Sequence, residues 1–499
     1  MRNRWAYFRP VVDYLGLLVW VFGLLLLVPL IAGRVFAAGG RDEAPAWVFW
    51  LPAVASLAVG LTVKHDFRFP PLDNRRAMVL CALGWIVISA IGAVPFVAAL
   101  PIDYLDAYFE TVSGFTTTGI TILGGLDDMP VSVLFWRSFI QWLGGLGILT
   151  FFLAVLYTGR SAHRLFGAES HKVLSRRPTP SLLKSLRVLW LIYVLFTAGT
   201  VAALRLEGCG AFDAVAHAMT ALSTGGYSPY DASIEQYART GHPHAVLIEY
   251  TLIVAMLLGG INFFVHHRLI RGSVRALWDS MEMRFWWAIV FGATGLVMAD
   301  HLRRFGLPAG QAGGLHEVFR ASLFQVVSLV TTTGFATKDI AAEYFPAMSK
   351  QVFLVLMVIG GCVGSTGGGI KVFRIGVLAK MVARQLRRLM YGPAVQHVVV
   401  VDREPVEAEE LRRIAALFFT WLALLAFGGG VTAFLSDHDA LASASGMFSA
   451  LGNIGPCYIP TPAMAQLHPV VKIVYILGML AGRLEVLPLL LLFSRRTWR

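Results

Sequence analysis

The chain has 499 residues, of which 57% are hydrophobic and only 14% carry a charge, and its formal net charge is +12. A soluble globular protein carries roughly 25% charged residues, so this composition excludes that class. Apolar runs such as 15–33 are about 20 residues long, which is enough to cross a bilayer as a helix. The sequence therefore predicts an integral membrane protein with many spans.

Ten apolar segments are predicted to span the membrane: 11–36, 44–63, 77–100, 131–157, 185–206, 244–266, 284–302, 348–382, 411–436 and 467–494. Thirty of the 42 Lys and Arg residues fall at the chain ends or in the segments 64–76, 158–190, 265–285 and 371–413. Because cytoplasmic loops carry an excess of basic residues, these segments are predicted to be cytoplasmic. The even number of spans then puts both termini in the cytoplasm, and the positive charge does not call for a nucleic-acid partner.

A polar segment recurs four times between the predicted spans, at 105–121, 212–228, 317–337 and 439–456. Each copy begins near an acid, namely Asp106, Asp213, Glu317 or Asp439, which we expect to cap a short helix. Each copy ends in a polar turn at a glycine, namely Gly119, Gly226, Gly334 or Gly455, and these glycines are 107, 108 and 121 residues apart. The first and third copies share the run Thr-Thr-Thr-Gly. The repeating unit is therefore predicted to be a span, a half-helix, a polar turn and a second span.

The predicted fold is an all-α polytopic membrane protein. Four pseudo-repeated units, each with a span, a pore helix, a filter turn and a span, surround one pore. The predicted domains are an N-terminal transmembrane helix pair at 1–70 and pore units at 71–160, 161–275, 276–400 and 401–499.

The polar turns have the chemistry of a cation path. Non-helical backbone at membrane depth is tolerated where it is buried in protein or faces a water-filled cavity. The C-terminus of each half-helix carries a partial negative charge, and four strands of carbonyl oxygen can replace the hydration shell of a cation. No acidic side chain occurs in the four turns, which favours K⁺ over a divalent ion. The alternative is that small and hydroxyl residues there simply allow close helix packing.

A second feature is the glycine-rich stretch 359–371, inside a predicted span. Its six glycines, with Ser365 and Thr366, predict an irregular segment beneath the third turn that blocks or opens the ion path; the alternative is a tightly packed helix break. The segment lacks the Gly-Lys-Ser/Thr of a phosphate loop. Arg483 lies deep in the last span and needs a partner, for which carbonyls of 364–369 are candidates, unless it reaches the cytoplasm. Gln141 and Asn262 are expected to bond across helices.

These motifs, together with "FWRSFIQWLGGLGI" and "GRLEVLPLLLL", resemble the bacterial Trk/Ktr potassium transporter family, in its TrkH/TrkG branch. The resemblance covers nearly the whole chain. It implies a K⁺ filter at Thr117, Thr118, Gly119, Thr224, Gly225, Gly226, Thr332, Thr333, Gly334, Asn453, Ile454 and Gly455. It implies a gating loop at 360–369, with Gly364, Ser365, Thr366, Gly367, Gly368 and Gly369, and a gating Arg483. Family members that admit mainly Na⁺ have serine at the first filter glycine, so four glycines favour K⁺.

The resemblance also implies a function and partners. The chain is expected to carry K⁺ across a bacterial inner membrane, as a channel or coupled to H⁺ or Na⁺, with K⁺ as substrate and no covalently bound cofactor. A homodimer is expected, with a TrkA-like cytosolic subunit that binds NAD or ATP and contacts 371–413, so that any regulatory nucleotide acts only through that partner. A cation-coupled solute symporter with a broken-helix midplane site is the alternative. An enzyme is not expected, because the predicted spans contain no cluster of His, Asp, Glu or Cys.

Overall fold

The computed structural model describes residues 4–37, 44–63, 72–147, 150, 182–306, 312–391 and 398–498. In the first half of the chain the helices are α1 (Arg4–Leu25), α2 (Val28–Ala37), α3 (Trp47–Val63), α4 (Asn74–Ala99), α5 (Tyr104–Phe115), α6 (Val131–Gly145), α7 (Leu182–Leu206), α8 (Ala211–Leu222), α9 (Glu235–Arg239), α10 (Ala245–Gly260) and α11 (Phe263–Ile270). In the second half they are α12 (Met281–Phe305), α13 (Ala312–Val330), α14 (Ala347–Val358), α15 (Val372–Tyr391), α16 (Ala408–Leu435), α17 (Ala440–Gly452), α18 (Thr461–Ala465), α19 (Pro469–Arg483) and α20 (Leu487–Phe493). A two-residue hairpin, β1 (Val400–Val401) with β2 (Glu404–Pro405), joins α15 to α16.

The predicted helical, polytopic class is confirmed. Five segments of the described chain are long and apolar enough to cross a membrane: Tyr7–Ala37, Asn74–Ala99, Lys184–Leu206, Met281–Phe305 and Ala408–Leu435. A sixth candidate is the pair α10 and α11, which is bent by 107° at its break. The described helices therefore supply several membrane spans.

Four predicted spans are broken helices rather than continuous ones in the described chain. The span 11–36 is divided between α1 and α2, and 348–382 is divided between α14 and α15 by the glycine-rich stretch. The span 244–266 stops at Gly260 and restarts at Phe263, because Asn262 accepts the amide of Phe264 and caps α11. The span 467–494 is interrupted after Arg483, where Glu485 and Val486 adopt φ values of 59° and 67°. A left-handed conformation at a β-branched residue does not fit a helix, so α20 starts anew at Leu487.

One order of elements occurs four times in the described chain: a long helix, a short helix, a turn and a further helix. The long helices are α4, α7, α12 and α16, and the helices that follow them are α5, α8, α13 and α17. Each of these followers packs on the preceding long helix. The four glycine turns follow directly after α5, α8, α13 and α17.

The acids at the starts of these helices differ from the expectation in three cases of four. Asp439 caps α17 by accepting the amide of Ala442, as predicted. The cap of α5 is Asp103 and not Asp106, which lies in the first turn. Likewise Asp213 lies in the first turn of α8. Glu317 falls inside α13, which begins at Ala312, because the helix extends further toward its N-terminus than the repeat suggested.

Two of the predicted unit boundaries can be placed in the described chain, and the division into units stays a prediction. The boundary between 400 and 401 lies within β1, and that between 275 and 276 lies in a short 3₁₀ turn. The boundaries at 70 and 160 lie outside the described residues, as do most of the basic segments 64–76 and 158–190 and the end of the predicted span 131–157.

Candidate functional site

The four glycine turns have the same unusual backbone. Two residues before each glycine, φ is positive: 53° at Thr117, 54° at Thr224, 61° at Thr332 and 54° at Asn453. The glycines themselves have φ values of 81°, 73°, 89° and 105° in chain order. A left-handed conformation costs an ordinary residue roughly 1–2 kcal/mol, so four repetitions indicate a geometry that the surrounding structure enforces.

Backbone amides of each turn donate back to the helix that precedes it. Thr118 donates to the carbonyl of Ser113 over 2.9 Å, and Gly225 donates to that of Thr220 over 2.9 Å. The same bond runs from Thr333 to Ser328 over 2.8 Å and from Ile454 to Ser449 over 3.0 Å. Because these amides point to the helix, the carbonyl oxygens of the turns are directed elsewhere.

The four turns meet in a closed ring. A methyl group built on Gly119 would lie 2.2 Å from the carbonyl oxygen of Gly225, and one on Gly226 would lie 1.9 Å from that of Thr333. One on Gly334 would lie 2.2 Å from the carbonyl oxygen of Ile454, and one on Gly455 would lie 3.0 Å from that of Thr118. Each turn thus faces the next, and the fourth faces the first. No side chain fits at the first three of these glycines without displacing backbone.

Hydroxyl groups support the ring from behind. Ser113 donates to the carbonyl of Ile120 and Ser328 to that of Phe335, both over 2.6 Å, and Ser449 donates to Gly455 over 2.9 Å. In the two Thr-Thr-Thr-Gly runs, the first and third threonine hydroxyls bond each other, over 2.7 Å from Thr116 to Thr118 and 2.8 Å from Thr331 to Thr333. All seven of these side chains are fully buried: Ser113, Thr116, Thr118, Ser328, Thr331, Thr333 and Ser449. The repeated threonines therefore stiffen the turns through their side chains.

Gln141 of α6 holds the second turn. Its amide nitrogen donates to the carbonyl of Gly225 over 2.7 Å, and its amide oxygen accepts the backbone amide of Tyr227 over 3.0 Å. Gln141 was expected to bond across helices; it does bond another unit, but its partners are backbone groups of a turn and not of a helix. Asn262, for which the same was expected, instead caps its own helix.

The glycine-rich stretch crosses directly beneath three of the turns. Thr366 donates its amide to Gly259 over 3.1 Å, and its hydroxyl accepts from that of Thr224 over 3.1 Å. Gly368 donates to the hydroxyl of Thr332 over 2.8 Å, and a methyl on Gly368 would lie 2.6 Å from the Cβ of Asn453. The stretch therefore contacts the second, third and fourth turns, whereas the sequence predicted a position beneath the third turn alone.

The remaining residues of this stretch are held by its surroundings. The carbonyl of Gly364 accepts the amide of Phe263. The Ser365 hydroxyl accepts the amide of Gly367, whose own carbonyl accepts the ammonium of Lys371. Gly369 has a φ of 65°. The carboxylate of Glu282 accepts the amide of Val363 over 2.7 Å. The segment is irregular, as its glycines predict, and it is anchored at both ends.

Arg483 lies between the glycine-rich stretch and the first turn. Its guanidinium donates to the carbonyl of Thr366 over 2.6 Å and to those of Gly144 and Gly145 over 2.5 Å each. It also donates to the hydroxyl of Thr117 over 3.2 Å. The predicted pairing of Arg483 with a carbonyl of 364–369 is confirmed. The alternative, an arginine that reaches the cytoplasm, is wrong.

Two charged residues beside the ring were not expected from the sequence. Glu110 of α5 and Arg137 of α6 form an ion pair of 2.9 Å, with side-chain exposures of 0% and 2%. The sequence carries a signal for Arg137, which like Arg483 is a charge inside an apolar predicted span, but Glu110 lies in the polar segment 105–121. Lys472 pairs with Asp106 and donates to the carbonyl of Ala465 over 2.8 Å, which ties the fourth unit to the first.

The chemistry of the site is that of backbone oxygen. In the described part of the chain, no group of three or more His, Cys, Asp or Glu side chains is placed to hold a metal ion. The atoms that meet at the ring glycines are carbonyl oxygens, which are hard ligands suited to an alkali cation.

The chain resembles known proteins along almost its whole length. The family model described as TrkH, a cation transport protein, matches residues 52–302 and 311–498. The "Trk system potassium uptake protein TrkH" of Escherichia coli K12 is 32% identical over 506 residues, which cover 99% of this chain and all of the relative. The "Trk system potassium uptake protein TrkI" of Halomonas elongata is 32% identical over all of this chain and 98% of the relative.

A solved structure agrees with the fold. The crystal structure of the potassium transporter TrkH from Vibrio parahaemolyticus superimposes with a TM-score of 0.84 at 28% identity, covering 99% of this chain and all of that chain. The chain, with its ring of four glycine turns, belongs to the TrkH family of cation transport proteins.

Proposed function

We propose that this chain is the membrane subunit of a Trk-type potassium uptake system, and that K⁺ crosses through the ring of four turns. The ring itself carries the proposal, since the carbonyl of the residue just before each ring glycine lies against the ring glycine of a neighbouring turn; these carbonyls belong to Thr118, Gly225, Thr333 and Ile454. The C-termini of α5, α8, α13 and α17 end at the ring, where their dipoles favour a cation. Carbonyl ligands without a carboxylate suit a monovalent ion that is dehydrated as it enters.

The filter consists of the twelve residues identified from the sequence: Thr117, Thr118, Gly119, Thr224, Gly225, Gly226, Thr332, Thr333, Gly334, Asn453, Ile454 and Gly455. All four glycine positions lack a side chain, which keeps the ring wide enough for K⁺ and keeps its oxygens in place. The close approach of each glycine to a neighbouring carbonyl supports this assignment.

The gate consists of 360–369 and Arg483. The stretch contacts Thr224 and Thr332 from below, and the positive charge of Arg483 lies 3.2 Å from the hydroxyl of Thr117. A cation that leaves the ring must pass this charge, so the closed arrangement opposes conduction by electrostatic repulsion as well as by bulk.

The remaining assignments concern partners and location. The chain is proposed to form a homodimer in a bacterial inner membrane with both termini in the cytoplasm, and to bind a TrkA-like cytosolic subunit through which NAD or ATP acts. The relatives named for the Trk system support that partner. The C-terminal part of α15, within 371–413, exposes Leu386, Leu389 and Met390 by 57%, 74% and 70%, which suits a docking surface. The solute symporter is not favoured, since the family consists of cation transport proteins.

Purified protein in liposomes tests the function. With K⁺ inside and a potential that drives uptake, the wild type should carry K⁺ and Rb⁺ several-fold faster than Na⁺, and protein-free liposomes set the background. Equal K⁺ and Na⁺ fluxes would contradict the proposal. So would a protein that, with 364–369 deleted and under a driving potential, transports neither ion above background.

A further inference from the structure

A buried ion pair lies directly behind the first turn. Nε of Arg137 donates to the Glu110 carboxylate over 2.9 Å, and both side chains are almost wholly removed from solvent. Charges are expensive to bury, and such a pair is stable only when further hydrogen bonds use its remaining donors and acceptors. The partners of the two side chains show what the pair holds in place.

The Glu110 carboxylate fixes the strand that leaves the first turn. It accepts the hydroxyl of Thr121 over 2.9 and 3.0 Å and the amide of Ile122 over 3.2 Å. Both residues follow closely after Gly119. The backbone carbonyl of Glu110 also accepts the hydroxyl of Tyr227 over 2.9 Å, so the same residue bonds a side chain that follows Gly226.

Arg137 fixes the strand that leaves the second turn. Its guanidinium donates to the carbonyl of Ser228 over 3.1 Å and to the hydroxyl of Thr121 over 3.2 Å. Its central carbon also lies 4.0 Å from the centre of the Tyr227 ring, a cation–π contact. The pair therefore ties together the exits of two adjacent turns.

The other units use different chemistry at the same position. Nine residues before the ring glycine, the four units have Glu110, His217, Gln325 and Gly446. His217 bonds the hydroxyls of Ser228 and Tyr237 over 3.2 Å each, and at Gly446 the Tyr475 hydroxyl occupies the space that a side chain would need. The buried amide of Gln325 has no hydrogen-bond partner among the described residues. Within the described ranges, an ionic brace at this position is found only in the first unit.

We propose that Glu110 and Arg137 are positioning residues that fix the spacing of the first and second turns and thereby set the discrimination between K⁺ and Na⁺. This inference rests on the proposed function. Na⁺ is smaller than K⁺, so a ring whose strands can move inward coordinates Na⁺ better than a rigid one. Without the ionic brace, the exits of two of the four turns lose four hydrogen bonds between them, one of which is the Thr121 hydroxyl shared between both carboxylate oxygens.

The test compares the K⁺/Na⁺ flux ratio of variants in liposomes. Glu110→Gln keeps the shape of the side chain but turns one acceptor into a donor that faces the donors Thr121, Ile122 and Arg137. We expect the ratio to fall by about tenfold, the effect of losing one buried hydrogen-bonded charge. Arg137→Lys keeps the charge but loses the fork that reaches Ser228, so its ratio should be intermediate.

Two further variants separate positioning from stability. The double variant Glu110→Leu with Arg137→Met removes both charges, which avoids an unpaired buried charge and favours folding; it should insert normally and still lose discrimination. Gln325→Leu is the matched control in the third unit and should keep the wild-type ratio.

The outcomes are distinct. A wild-type ratio in both Glu110→Gln and the double variant, each shown to be folded by size exclusion and thermal unfolding, overturns the brace, as does an equal loss in Gln325→Leu. If the wild type itself does not prefer K⁺, the proposed function fails instead.

Discussion

The ring makes a sharp prediction for Gly119→Ser. The serine Cβ would lie 2.2 Å from the carbonyl oxygen of Gly225, where ordinary contact begins at 3.4 Å, so one of the two must move by about 1 Å. The φ of 81° adds strain of ~1–2 kcal/mol for a residue with a side chain. If the displaced carbonyl weakens K⁺ coordination relative to Na⁺ coordination by ~1–2 kcal/mol, the flux ratio changes by a factor of about 5–30. We therefore expect the K⁺/Na⁺ flux ratio in liposomes to fall by at least about fivefold as Na⁺ permeation rises.

Gly125→Ser is the matched control for this prediction. Gly125 has a φ of 72°, close to that of Gly119, but a methyl group there meets nothing within 4 Å. The control variant therefore carries the backbone strain without the collision, and it should keep the wild-type ratio. An unchanged ratio in Gly119→Ser, or the same loss in both variants, would refute the assignment of Gly119 to the filter.

Three further predictions concern the gate and are measured as K⁺ uptake per folded protein in liposomes. Deletion of 364–369 should raise uptake, because the segment lies beneath three turns; equal or lower uptake in a correctly inserted protein would count against a barrier there. Arg483→Met should also raise uptake, since it removes both a positive charge and the bond to the carbonyl of Thr366, and a variant as slow as the wild type would contradict this. Glu485→Gln weakens the 2.5 Å ion pair between Glu485 and Arg374, which joins the break after Arg483 to α15. We expect K⁺ uptake to rise less than in Arg483→Met. A larger rise would show that this ion pair does not act through Arg483.

Some features of this protein follow from local sequence. The membrane class follows from run length and composition, because a bilayer fixes how many apolar residues a helix needs. The four glycines follow from the repeat, and the irregular glycine-rich stretch follows from the low helix propensity of glycine. Asp439 as a helix cap and the need of Arg483 for a buried partner are also local arguments, and both hold in the structure.

Other local arguments failed because tertiary contacts overrode them. The repeat placed helix starts at Asp106, Asp213 and Glu317, but the three helices begin earlier, at Tyr104, Ala211 and Ala312. The last span appeared continuous in its hydropathy. It breaks at Glu485, whose carboxylate bonds Arg374 on another helix.

Only the tertiary structure decided how the units face one another. Arg483 bonds Thr117, which is 366 residues away, and Gln141 bonds Gly225, which is 84 residues away. The sequence by itself determined which backbone could form four turns, since φ preference and hydropathy belong to individual residues and short runs. It did not determine that each turn borders the next, or that Glu110 meets Arg137, because such contacts depend on how whole helices pack and on which buried charges find partners there.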